Sequence, residues 1–247
     1  DPTIVLPDPA EDFTLPMFIA MDPPKHDVQR KTVSPIVAGA NLAKLEPIIR
    51  ERAGAILDDC PIGVEFDWVD KVSIELTTMT LATLFDYPFE QRRDLPRMSD
   101  MILTQPRTGE DRPSPEEQQA AFMPMIMPFI GLWNARKDAG PAGDLISLLS
   151  HDPATRKGDD PERYLGNVIL LTVAGSDTTR HSITGALMAF QDYPEAYDRL
   201  RAEPALLDSA VPEIVRWQSP VAHMRRPATR DVELALTRAD SPRRALP

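Results

Sequence analysis

The run VILLTVAGSDTTRH, residues 168–181, is apolar and helical in pattern until Gly175-Ser176-Asp177-Thr178-Thr179 interrupts it. A glycine inside a helix costs about 1 kcal/mol against alanine. A carboxylate among apolar neighbours must be paired, solvated or neutralised. On a helix, Leu170, Ala174 and Thr178 share one face, with Asp177 beside them. Small residues at 174 and 175 would let a flat body lie against the backbone, with a carboxylate and a hydroxyl at its edge. A mid-helix threonine can also bond back to the carbonyl four residues earlier, which bends the helix or opens a bulge. The plainer alternative is a buried helix with a polar kink.

Three other patterns could carry chemistry. His26 and Arg30 stand four apart, on one helical face, and together could grip an anionic group such as a carboxylate; a solvated face is the simpler account. Glu213 and Arg216 have the spacing of a surface ion pair on a helix, and Glu90 with Arg93 repeats it. His223-Met224-Arg225-Arg226 follows Ser219-Pro220, and a double arginine ordinarily faces solvent. Each pattern is weak by itself.

The elements that must position these residues read as helices almost throughout. A short one opens at Pro23-Pro24-Lys25 and ends before Pro35. Asn41 is placed to cap the next, which starts at Glu46-Pro47 and runs to about Asp58. Its Ile48, Ile49, Ile56 and Leu57 face one way, with Arg50, Glu51 and Arg52 mainly on the solvated side. Further helices are expected over Trp68–Phe85, Glu90–Leu103, Asp144–Ser150, Pro161–Phe190, Glu195–Arg201 and Leu206–Gln218. Ser114 and Glu117 form a capping-box pattern before the Met-rich AFMPMIMPFIGLW, whose Pro124 and Pro128 should kink it. Strand-like patterns occur only at Val64–Phe66 and Asp231–Leu234. The expectation is a mainly α, single-domain protein with minor β segments.

Composition narrows the functions. A net charge of −11 over 247 residues argues against nucleic acid, which needs a basic face, and suits a basic protein partner. Cys60 is the one cysteine, so no intramolecular disulfide can form and a reducing cytoplasm fits. No apolar run approaches the roughly 18 residues of a membrane span. The chain starts at Asp1 without a methionine and is expected to be part of a longer protein.

In this order and spacing, His-x-x-x-Arg, Ala-Gly-x-Asp-Thr-Thr, Glu-x-x-Arg and Arg-x-Ala-Thr-x-Asp-Val-Glu-Leu resemble the cytochrome P-450 superfamily of haem-thiolate monooxygenases. The resemblance covers residues 1–234; the tail 235–247, ALTRADSPRRALP, matches nothing in the family. MFIAMDPPKHDVQRKTVSPIV, FDWVDKVSIELTTMTLATLFDYPFE and RWQSPVAHMRRPATRDVEL are similar to the bacterial branch that hydroxylates medium-chain alkanes and fatty acids at the terminal carbon. The resemblance implies haem b, with the kinked helix crossing its distal face. It implies that Thr178 hydrogen-bonds dioxygen, that Asp177 relays protons, and that Ala174 and Gly175 leave room for both. His26, Arg30 and Arg226 match positions that hold the haem propionates. Glu213 and Arg216 match a buried structural pair, and Leu170, Val173, Ala174 and Val221 match walls of the substrate pocket. Core packing is the plain alternative for those four. Electrons would come from a separate ferredoxin and ferredoxin reductase, acting on a small apolar substrate and O2.

The chain also departs from the family. No Phe-x-x-Gly-x-x-x-Cys-x-Gly loop is present to supply the thiolate, and Cys60, in Asp-Asp-Cys-Pro, reads as a small residue near a helix end. Pro212 precedes Glu213, so either that helix begins there or it is damaged. The 247-residue chain is therefore expected to lack thiolate-bound haem and to be inactive, while its parent is a monooxygenase. Two alternatives stay open: a haem-free binding or regulatory remnant of the fold, and an enzyme for a terpene or sterol.

Overall fold

The computed structural model describes residues 16–103, 113–140, 142, 144–156, 161–222 and 224. A 3-10 turn at Phe18–Ala20 leads into α1 (Lys25–Val33) and α2 (Gly39–Asp58). A π-helical turn at Val69–Ile74 runs directly into α3 (Glu75–Phe85). Then come α4 (Asp94–Leu103), α5 (Pro115–Arg136), α6 (Leu145–His151), α7 (Glu162–Asp192), α8 (Pro194–Ala202) and α9 (Leu207–Gln218).

Local chemistry explains most boundaries. The capping box forms as its sequence requires: Glu117 N–H donates to Ser114 Oγ at 3.2 Å, and Ser114 N–H donates to Glu117 Oε2 at 2.8 Å. Asp144 caps α6 by accepting from Ser147 N–H at 2.8 Å. Asp86 ends α3 and Ser219 ends α9, both in the left-handed region with φ of 53° and 46°.

The long helix α7 runs through the core. Tyr164, Val168 and Ile169 on its first half are buried against Phe85, Leu95, Met98, Phe129, Trp133, Ile146 and Leu149 from α3, α4, α5 and α6. Each such side chain contributes about 1.5–3 kcal/mol by leaving water. Trp133 and Tyr164 meet in a tilted contact, 4.7 Å between ring centres and 43° between planes. Helix α5 continues through Pro124 and Pro128. Tyr164 Oη donates to the Phe129 carbonyl at 3.1 Å, and burial pushes that phenol far above its usual range. The methionine stripe of α5 divides: Met125 is core, whereas Met123 and Met127 are exposed.

Several expectations need correcting. No strand occurs among the described residues, and Val64–Phe66 is irregular and largely exposed, with no neighbouring strand to pair it. Asp231–Leu234 and the tail 235–247 lie outside the described residues. Helix α2 starts at Gly39, so Asn41 lies inside it and its amide reaches back to Ile36 O at 2.9 Å. Pro47 is carried within that helix, and Ile48 and Leu57 are exposed. Arg52 is half-buried rather than simply solvated: Nη1 donates to Met79 O at 2.7 Å and Thr83 Oγ1 at 2.8 Å, which ties α2 to α3. Pro212 neither starts nor breaks α9, which begins at Leu207.

Candidate functional site

The interrupted stretch lies at the middle of α7, and the backbone is α-helical from Glu162 to Asp192 without the expected bulge. Thr178 Oγ1 bonds back to Ala174 O at 2.6 Å, and Ser182 Oγ to Thr178 O at 2.7 Å. These side chains solvate the helix's own carbonyls within an unbroken ladder. The Thr178 proton is thereby donated to the helix, and the lone pairs of its hydroxyl remain to accept.

The faces of α7 separate sharply. Ala174 is exposed, with Thr178 and Leu170 half-buried along the same side. Leu170 and Val173 pack on the edge of the core. Gly175 does not face that open side. A Cβ there would come within 2.8 Å of Leu81 Cδ2, so its smallness lets α3 approach α7. The expectation that Gly175 clears space for a ligand is thus corrected, because one helical residue step turns the side chain by about 100°. Gly185 serves α9 similarly, since a Cβ would meet Gln218 Oε1 at 2.5 Å.

Asp177 is buried, at 9% exposure, and among the described residues Oδ1 accepts no well-aligned hydrogen bond. Its ion-pair partner among the described residues is Arg180, whose Nη2 lies 2.9 Å from Oδ1. The same Nη2 sits 2.5 Å from Asp100 Oδ1 on α4, the Ser99 hydroxyl faces the Asp177 carboxyl, and among the described residues Arg180 Nε and Ser176 Oγ have no hydrogen-bond partner. Burial pushes the Asp177 carboxyl upward and outweighs the opposing pull of Arg180. Arg180 and Asp100 were missed in the sequence. Arg180 lay in the quoted motif, but nothing in the spacing indicates that a residue eighty positions earlier completes the contact.

On α1, His26 Nδ1 contacts Asp27 Oδ1 at 2.8 Å, and the ring lies 6.2 Å from that of Phe18. Arg30 is exposed, and among the described residues its guanidinium has no partner. Glu213 and Arg216 form a two-pronged pair at 2.6 and 2.7 Å. That pair is 59% and 69% exposed, not buried as the resemblance implied, because among the described residues α9 packs chiefly on α7. Val221 is 49% exposed, and Arg226 lies outside the described residues. The other Glu-x-x-Arg match is not a pair at all: Arg93 and Arg92 both turn to Glu75, at 2.8 and 2.5 Å. Cys60 lies just past α2, its Sγ 3.3 Å from Ile56 O. No cluster of three metal-ligating side chains occurs among the described residues.

No family model matches the chain. It is 33% identical to linalool 8-monooxygenase of Pseudomonas putida over 88% of this chain and 53% of that protein. It is 32% identical to the steroid C26-monooxygenase of Rhodococcus jostii, over 92% of this chain and 47% of that protein. Among solved structures, cytochrome P450-153 from Novosphingobium aromaticivorans superposes with a TM-score of 0.79 at 39% identity, covering 94% of this chain and 58% of that one. The chain belongs to the cytochrome P450 superfamily. It spans about half the length of the curated P450s it matches.

P450 enzymes carry haem, and the residues present fit it. An exposed alanine on α7 offers a flat approach, and an arginine on α1 that has no partner among the described residues offers a cation for a carboxylate. When bound and ligated by a thiolate, haem supplies the activation of dioxygen. Among the described residues no helix of this P450 is long and apolar enough to cross a membrane.

Proposed function

We propose that the full-length protein is a monooxygenase that inserts one oxygen atom from O2 into a terminal C–H bond of medium-chain alkanes or fatty acids. The observation that carries the reading is Asp177, a buried carboxyl with an unsatisfied oxygen, directly before Thr178 on the open side of α7. Asp177 takes up and releases a proton beside Thr178, whose hydroxyl keeps its lone pairs free to accept on the Ala174 side. Proton supply by a positioned group contributes about 10²–10⁴-fold. His26, Arg30 and Arg226 hold the haem propionates, and Leu170, Val173, Ala174 and Val221 wall an apolar pocket that admits the chain end by shape. Electrons come from a separate ferredoxin and its reductase. Residues 1–234 are the part of the P450 domain present here, with 235–247 outside it.

The linear-chain substrate is supported by the three stretches that resemble the alkane- and fatty-acid-hydroxylating branch, and by the 39% identity to P450-153. The linalool and steroid relatives favour a second reading, a terpene or sterol. Product analysis of the full-length enzyme with octane, octanoate and linalool separates the two. Mainly terminal alcohol from the linear chains is expected, and subterminal or absent products on them would end the first reading. Thr178→Ala tests the chemistry: substrate oxidation falls and reducing equivalents appear as peroxide. Unchanged coupling would overturn the role given to Thr178.

A further inference from the structure

Asn167 is completely buried between Tyr164 and Val168 on α7, where an aliphatic side chain would meet no desolvation penalty. Its amide oxygen and nitrogen each bond a segment remote in sequence. Oδ1 accepts from Phe18 N–H at 2.9 Å, across 149 positions. Nδ2 donates to Gln29 Oε1 at 2.9 Å, across 138 positions. The orientation is forced, because a backbone N–H can only donate; Oδ1 must face Phe18 and Nδ2 must face Gln29. Gln29 is itself buried, and its own amide nitrogen ends on Met21 Sδ at 3.3 Å.

Both arms end beside the His26–Arg30 pair. Phe18 packs its ring against His26, and Gln29 directly precedes Arg30. Helix α1 has nine residues, too few to hold its own shape in water, so tertiary ties decide where it sits. We infer that Asn167 is a positioning residue, whose buried amide fixes the His26–Arg30 pair relative to the open face of α7. A buried amide does this better than apolar packing, since shifting α1 by even part of a turn strands hydrogen-bonding groups in the core. The inference rests on the reading that His26 and Arg30 hold an anionic group, and it deepens that reading by naming what sets their place.

The test is NMR of the 247-residue chain, following the His26 and Phe18 ring resonances and amide exchange along α1. N167L should move both ring signals and speed α1 exchange about tenfold or more. At a pH low enough to keep the buried acid neutral, N167D should move them little, because one carboxyl oxygen still accepts from Phe18 and the protonated one donates to Gln29 Oε1. T172V is the control: Thr172 is equally buried on α7 but bonds only Val168 O of its own helix, so His26 should not respond. Should N167L fail to fold, Q29L breaks the α1 arm alone and should still speed α1 exchange. Unmoved His26 signals in the folded variant, or equal movement in T172V, would overturn the inference. If H26A and R30A leave haem retention by the full-length protein unchanged, the anion-holding reading fails while the NMR result stands.

Discussion

Two carboxylates with largely covered side chains show opposite designs. Glu75 at the head of α3 is met by Arg92 at 2.5 Å and Arg93 at 2.8 Å, and Arg93 also reaches Asp70 at 2.5 Å. Burial pushes its carboxyl up, but the two guanidiniums prevail and hold it below the usual range. Asp177 has comparable burial but only part of one guanidinium, shared with Asp100, and burial prevails. Two cations on one acid make a brace. One cation divided between two acids leaves a carboxyl that can take and release a proton.

The largest contrast should be in catalysis. D177N in the full-length enzyme should slow substrate oxidation about 10²-fold or more, while E75Q leaves the product ratio and coupling intact. Equal rates for D177N and the parent would erase the distinction. Stability should show the reverse order. E75Q leaves two arginines facing a neutral group and should cost about 2 kcal/mol in urea unfolding. D100N, which removes a half-exposed partner of Arg180, should cost about 1 kcal/mol.

The pH dependences should differ in sign. The carboxyl of Glu75 is lowered on folding, so its contribution is present above its ordinary value and lost as pH falls through the folded one. The carboxyl of Asp177 is raised, so its ionised form disfavours the fold at neutral pH, and the disfavour fades as pH falls through the raised value. D177N should therefore raise the melting temperature at pH 7 and E75Q lower it, with both differences shrinking in acid. A D177N deficit that grows with pH would place Asp177 with Glu75 as a brace. The smallest effect belongs to the exposed Glu213–Arg216 pair, where R216A should leave the melting curve of the 247-residue chain unchanged. With Cys60 as its one thiol, that chain, reduced and given haem and carbon monoxide, should show no thiolate-type absorption band.

Much of the fold was legible because the signals were local. The capping box at Ser114, the stop at Asp86 and the length of α7 follow from residues within a turn or two of each boundary. The errors came where a distant contact overrode a local rule. Pro47 read as a helix start, and Pro212 as either a start or damage, yet both lie inside intact helices. Arg52 read as solvated, yet α3 supplies its acceptors. Gly175 read as clearance for a ligand, because its neighbours in sequence gave no hint of Leu81.

The sequence by itself determined the helical content, the residue types of the α7 interruption and the superfamily, since periodicity, capping and ordered motifs are properties of neighbours along the chain. Only the tertiary structure decided which acid is braced and which is left wanting a partner. Glu213-x-x-Arg216, Glu90-x-x-Arg93 and Asp177-x-x-Arg180 share one spacing; the first is an exposed pair, the second turns away to Glu75, and the third is split with Asp100. Spacing sets which side chains can meet on one helix, but burial and the charges that other helices bring set the energy of the meeting.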